Sequence, residues 1–290
     1  MTENSRNSVA LTPQAFKWYG WVGLLAMGAA EYLLVRDSEF VKSWFTPIMW
    51  SGYILFADAL IFKARGHSLI SNRLRQFLFM LPYSVACWLI FEAYNLHLHN
   101  WAYVGLPQNV VLRYWGYFWA FATIFPGVLL TSELIDLTGL FDAIKVKPFS
   151  FKQTTLVLIM SVGCLFLVLP IVLPANIAAF LFGPVWMGFV FFLDPVNYFI
   201  GAKSLFRELE SGRLNKLLSL FLAGLICGLL WEFWNYWATA KWVYTFPYLS
   251  HPKLFEMPLI GFVGFLPFAV EVYVMWEFAA KLLKFSARQS

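Results

Sequence analysis

Runs of about 20 apolar residues, the length that spans a bilayer's hydrocarbon core at 1.5 Å per residue, recur along this chain from end to end. Eight can be counted, near residues 18–35, 44–62, 77–95, 111–134, 154–173, 176–200, 217–236 and 257–279. Hydrocarbon offers the backbone no hydrogen bonds, so successive spans of this length are expected as helices. Composition agrees: 60% of the 290 residues are hydrophobic and 13% charged, against roughly 25% charged in an ordinary soluble domain. The expected fold is therefore all-α integral membrane, with eight transmembrane helices.

The polar residues reveal a duplication. The stretch LWEFWNYWATAKWVYTFP at 230–247 repeats features of WLIFEAYNLHLHNWAYVGLP at 88–107. Cys87 and Cys227, Glu92 and Glu232, Asn95 and Asn235, and Pro107 and Pro247 share one offset, while Trp101 and Tyr103 meet Trp242 and Tyr244 after a slip of one residue. Upstream, Asp58 and Pro47 are echoed by Asp194 and Pro184, and Arg73 and Leu74 by Arg213 and Leu214. Apolar positions drift freely in a bilayer, so the shared polar punctuation reads as two copies of one half. The expected organisation is a cytoplasmic tail at 1–16, a first four-helix repeat at 17–139, a cytoplasmic linker at 140–152, a second four-helix repeat at 153–284 and a tail at 285–290. Four helices per half is an even number, which predicts two parallel repeats related by an axis along the membrane normal. The last helix of each half resists pairing, because Glu133 and Glu271 share no offset with the rest.

Orientation follows from Lys and Arg, which favour short cytoplasmic loops. Sixteen of the 21 fall in the tails and alternate loops, and only Arg36, Lys42, Arg113, Lys241 and Lys253 fall on the other side. Both termini are thus expected in the cytoplasm, in a cell (inner or plasma) membrane. The net charge of +5 is then a topology signal, and its scatter over short loops speaks against nucleic acid as a partner. The polar opening residues read as a tail and not as a signal peptide.

Acidic side chains inside spans carry the functional question, since each costs about 3 kcal/mol to place in hydrocarbon even on mild scales and so faces a protein interior or a cavity. Counting from the basic loops puts Glu92 and Glu232 roughly 24 Å above the cytoplasmic face, with Glu31 at a similar level, and Glu271 about 15 Å up. Asp58, Asp194 and Asn197 lie lower, so the acids are expected to form a column. Glu92, Glu232 and Glu271 are the candidate catalytic groups, with Asn95 and Asn235 one turn later to orient carboxyls. Each acid also has a structural reading, as a carboxyl hydrogen-bonded across a helix contact. Glu31, Asp58, Asp194, Asn197 and Glu256 are secondary polar candidates, while Glu133 and Glu277 read as interfacial.

Aromatic residues make up 20% of the chain, and much of this is an interfacial belt. Around Glu232 they cover every face of the helix, so some point inward. Trp231, Trp234, Tyr236, Trp242, Tyr244, Trp101 and Tyr103 are the candidate substrate contacts. An acid among aromatic faces, each worth about 0.5 to 2 kcal/mol to a cation, suits protonation of an apolar double bond. His97, His99 and His251 fall on corresponding outer loops, yet no metal-ligand spacing accompanies them, and the three cysteines lie inside spans where they act as small hydrophobes. Neither a metal nor a cofactor is expected.

The segment WVYTFPYLSHPKLFEMPLIGFVGFLPFAVEVYVMW at 242–276 resembles the end of the small integral-membrane carotenoid (lycopene) cyclases and hydratases, in which an aromatic loop precedes a Pro-Leu helix start and acidic residues. In that family the acid directly follows Pro-Leu, whereas here Glu256 precedes Met257-Pro258 and Glu271 comes late. The resemblance implies a cyclase, hydratase or isomerase of isoprenoids. Three functions stay open: an enzyme acting on an isoprenoid or other lipophilic substrate, a proton- or cation-coupled transporter or channel, and a non-catalytic membrane subunit binding lipid or a partner. Self-association is compatible with each. Walker, Rossmann and nucleophile-elbow motifs are missing, which disfavours nucleotide chemistry.

Overall fold

The computed structural model describes residues 14–245, 247 and 250–285, so most of both expected tails, including Arg6 and Arg288, lies outside the described residues. In chain order the elements are α1 (Trp18–Val35), α2 (Glu39–Arg65), α3 (Leu69–Asn72), α4 (Leu74–Leu98), β1 (Trp101–Val104), α5 (Val110–Ala122), α6 (Ile124–Thr138), α7 (Gln153–Val172), α8 (Ala175–Ala178), α9 (Phe182–Ile200), α10 (Leu205–Glu210), α11 (Asn215–Trp237), β2 (Lys241–Tyr244), β3 (Lys253–Leu254), β4 (Met257–Pro258), a 3₁₀ turn (Leu259–Gly264) and α12 (Phe265–Leu282). The fold is mostly helical, and seven runs among the described residues are long and apolar enough to cross a membrane: α1, α2, α4, Val110–Thr138, α7, α11 and Leu259–Leu282. The expectation was eight. The run near 176–200 is divided between α8 and α9, and α9 carries Asp194, Asn197 and two prolines, which dilute its hydropathy.

Two peripheral helices are held by glycine. In α1 only Gly20, Gly23 and Ala30 are buried, and a Cβ at Gly23 would stand 2.4 Å from the Gly52 carbonyl of α2. In α7 the buried set is Leu156, Gly163 and Pro170, and a Cβ at Gly163 would stand 2.5 Å from the Phe192 amide of α9. Small residues let apolar helices approach backbone to backbone, which is what association without a hydrophobic driving force requires. The molecule's centre is built from α2, α6, α11 and α12, around Phe45, Trp50, Val128, Leu220 and Val274.

Short helices at the basic end are capped from inside. Asp58 accepts from Ser68 Oγ (2.7 Å), Ile70 N (2.9 Å) and Tyr19 OH (2.6 Å), and so anchors the start of α3. Asp194 accepts from Ser204 Oγ (3.1 Å), Leu205 N (3.0 Å) and Phe206 N (2.9 Å), and anchors α10 in the same way. These aspartates satisfy the orphan N–H groups of a helix start, so their role is structural.

Two of these runs, Val110–Thr138 and Leu259–Leu282, are broken within their length. Between α5 and α6 the chain turns at Thr123, three residues before Pro126, and Ser84 of α4 donates to Phe121 O (2.5 Å) and accepts from Phe125 N (3.1 Å). A polar side chain thereby replaces bonds that the interrupted ladder loses. In the other run the 3₁₀ turn meets α12 two residues before Pro267, and Gly224 of α11 lies there, where a Cβ would be 2.1 Å from Phe265 O. Ser84 and Gly224 share the offset of Glu92 and Glu232. The two breaks thus lie against α4 and α11 at positions that share one sequence offset.

Candidate functional site

The two segments that carry Trp-x-Tyr form one antiparallel ribbon. Strands β1 and β2 pair with Trp101 opposite Tyr244, Ala102 opposite Val243 and Tyr103 opposite Trp242. Each Trp therefore faces a Tyr across the ribbon. Backbone bonding across the halves, absent from any hydropathy pattern, makes this unit.

Each strand is clamped to the helix before it. Asn95 accepts from Asn100 N (2.8 Å) and Trp101 N (3.2 Å) and donates to Trp101 O (2.9 Å). Asn235 accepts from Trp242 N (3.0 Å) and donates to Trp242 O (2.9 Å). The amides thus hold the ribbon and do not touch the carboxyls that they were expected to orient. Orientation comes from the ribbon and from α4 itself: Glu92 Oε1 accepts from Tyr103 OH (2.6 Å) and Trp101 Nε1 (3.2 Å) of β1 and from Trp88 Nε1 (2.9 Å) of α4. Glu232 Oε1 accepts from Tyr244 OH (2.7 Å) and Trp242 Nε1 (3.4 Å).

The two carboxyls are not equivalent. Position 88 is Trp, but its counterpart 228 is Gly, where a Cβ would stand 2.2 Å from the Phe265 ring. Phe265 fills the place of an indole donor. Glu92 is half-buried with three donors on one oxygen, while Glu232 is fully buried and its Oε2 has no hydrogen-bond partner.

Between the halves at the ribbon end lies a cavity of about 140 Å³ that Glu232 lines. Of the candidate substrate contacts, Trp101, Tyr103, Trp231, Trp242 and Tyr244 are among the residues that line it. Trp88, Trp186, Phe265, Phe268 and the cations Arg113 and Lys241 line it too, and the sequence reading did not single them out. A signal existed for Trp88, which stands one helical turn before Glu92. Phe265 and Phe268 had none, because they reach the cavity only through the break before α12. Trp234 is buried instead against Trp50 (5.0 Å between ring centroids) and Tyr53 (6.3 Å). Tyr236 is exposed and packs on Phe255, since four residues carry it about 40° further round α11 than Glu232.

The remaining acids do not form a single column. Glu31 is only partly buried on peripheral α1, and Glu256 pairs with Lys241 at 2.5 Å beside the cavity. Asn197 donates to Val274 O at 2.9 Å, tying α9 to α12. Glu271 is fully buried with neither oxygen hydrogen-bonded. It lies between two cavities on α12, for Phe268 lines the aromatic one while Tyr273 and Glu277 line a charged one at the basic end.

A search against protein-family models, curated proteins and solved structures finds no match. The likeness of residues 242–276 to carotenoid cyclases accordingly gains no support from these comparisons, and the site must be read from its own chemistry.

His97 is in the last turn of α4 and donates to Leu173 O (2.9 Å), and His99 caps that helix with φ 53°. Neither forms a metal-binding group with His251, and no cluster of three or more His, Cys, Asp or Glu able to hold a metal occurs among the described residues.

Proposed function

We propose that this chain is an integral-membrane enzyme acting on an isoprenoid or comparable lipophilic substrate, with Glu232 as its acid and base. One observation carries the reading: a carboxyl in an aromatic cavity, held through one oxygen by Tyr244 and Trp242, with its other oxygen unpartnered. Such an apolar site tolerates a carboxyl in its neutral form. In the proposed step Glu232 gives its proton to an alkene carbon, the double bond's electron pair forms the new C–H bond, and a carbocation remains. The faces of Trp231, Phe265 and Phe268 stabilise that charge, and Tyr244 and Trp242 hold the carboxylate. Loss of a proton from a neighbouring carbon to the same carboxylate closes an isomerisation or cyclisation with no outside reactant. A cavity of this size takes a unit of a few carbons, comparable to the roughly 150 Å³ that admits benzene, so one end of a chain enters and the rest lies in the bilayer.

The accompanying architecture is eight spans in two parallel four-helix repeats with both termini cytoplasmic. It is supported by the self-complementary ribbon, the matched aspartate caps, the matched glycine contacts and the basic loops gathered at one end. Glu92, with every donor on one oxygen, keeps a positioning role in the first copy.

Transport is the second reading, favoured by two broken spans and by cavities at opposite ends with Glu271 between them. Mass spectrometry of lipids from membranes expressing wild type, Glu232→Gln and Glu92→Gln separates the two. The enzyme reading expects one lipophilic species to be depleted and an isomer of it to accumulate with wild type and Glu92→Gln, and neither change with Glu232→Gln. Identical lipid profiles for all three would remove it, and a cation that stabilises wild type but not Glu271→Gln would put transport in its place.

A further inference from the structure

The charged cavity at the basic end is not used by the chemistry above. It occupies about 720 Å³ between the two halves and is lined by side chains from both. Fourteen Lys and Arg stand at this end against eight Asp and Glu among the described residues, so the local field is positive. Within the cavity the pairing is uneven. Arg213 is matched by Glu208 through two bonds of 2.6 and 3.1 Å, and Lys216 by Asp136. Arg65 and Arg73, however, converge on one oxygen of Glu133. Two guanidiniums thus share one carboxylate oxygen as their direct ion-pair partner, and the Nε of each has no hydrogen-bond partner. Across the cavity Lys203 stands 3.7 Å from Glu277, beyond a good hydrogen bond, with its side chain 66% exposed and free to swing.

We propose that this cavity binds a phosphate group, with Arg65 and Arg73 as its fork and Lys203 as the third cation. Guanidinium N–H pairs match tetrahedral oxyanions in geometry, and a doubly charged oxyanion balances two cations where Glu133 alone balances one. The group is the headgroup of an acidic lipid or a free phosphate ion, and the same chemistry recognises either. Glu133 acts as a competing internal anion that holds the fork in place while the site is empty.

The test uses the purified full chain in detergent, following its unfolding temperature by intrinsic tryptophan fluorescence. Sodium phosphate is titrated against sodium chloride of equal ionic strength, and dihexanoyl phosphatidic acid against dihexanoyl phosphatidylcholine. Saturable stabilisation by phosphate identifies the free ion as sufficient, and stabilisation by phosphatidic acid alone identifies a lipid headgroup. Glu133→Gln frees both guanidiniums and should tighten binding by about tenfold, the scale of one charge-assisted hydrogen bond, while Arg73→Gln should weaken it by about as much. Lys203→Gln, at an exposed position, should weaken binding without loss of folding, and so decides the matter if Arg73→Gln fails to fold. The proposal is overturned if neither phosphate nor phosphatidic acid stabilises wild type or Glu133→Gln beyond its control, or if stabilisation is unchanged in Lys203→Gln and in whichever arginine variant folds.

Discussion

Tyr244 shows how much one hydroxyl carries when water is excluded. It gives the shortest bond to a fully buried carboxyl, 2.7 Å from Glu232 Oε1, and no solvent can take its place. Tyr244→Phe should therefore destabilise the protein by about 1 to 3 kcal/mol, read as a lower unfolding temperature in detergent. Glu232→Gln is a gentler change, because a neutral amide of similar shape still accepts from Tyr244 through its oxygen. It should leave the unfolding temperature within a few degrees of wild type, and a collapse of expression would mean that the site needs an ionised carboxylate. Asp58→Ala contrasts with both. It strips two partners from the start of α3 and a third, Tyr19, from α1, and should lose folded protein outright.

At the scale of elements, the ribbon and the glycine contacts are the parts that lipid-like packing alone would not specify. Gly105 follows β1 at φ 64°, and a Cβ there would stand 2.0 Å from Thr239 O, so Gly105→Ala forces the strands apart as well as straining the backbone. A cross-link tests the ribbon directly. Ala102→Cys together with Val243→Cys places two thiols on directly opposed residues, where antiparallel partners lie about 4.5 to 5.5 Å apart. An oxidant should join them in membranes. Persistent free thiols at both positions would mean that the halves meet in some other register. Gly163→Leu should likewise push α7 off α9, seen as aggregation in size-exclusion chromatography.

Residues before and after the segment 140–152 meet in the ribbon and together line both cavities, so neither part should be stable alone. Chains cut in the segment 140–152 and expressed together should co-purify as a complex that retains the unfolding temperature of the intact protein to within a few degrees. Halves that fold separately and never associate would contradict an interface in which α11 packs on α6 and β1 on β2. Orientation is a separate question at this scale. Cysteines placed at the exposed positions Val104 and Lys253, at the ribbon end, should react with an impermeant thiol reagent in intact cells, and one at Lys145 should not; the reverse pattern would invert the topology.

The sequence by itself determined the apolar runs long enough to cross a membrane, the helical class and the polar and aromatic residues that the structure gathers around the ribbon. Apolar runs of bilayer length admit few other folds, and a buried Glu, Asn, Trp or Tyr is expensive enough that its repeat stands out against drifting Leu and Phe. Glu92, Glu232, Trp101, Tyr103, Trp242 and Tyr244 were legible for that reason. Only the tertiary structure decided what these groups touch. The ribbon is a contact between positions about 140 residues apart, and no local pattern encodes its register. That contact gave the asparagines to the strands and the carboxyls to the tyrosines. The difference between the two carboxyls was equally out of reach, because it rests on a glycine at 228 that matters only once Phe265 has been brought against it. Glu271 stood out as a buried acid, but its place between two cavities depends on how α12 follows its break. Side-chain chemistry is written along the chain, whereas its partners are set by packing between elements distant in sequence.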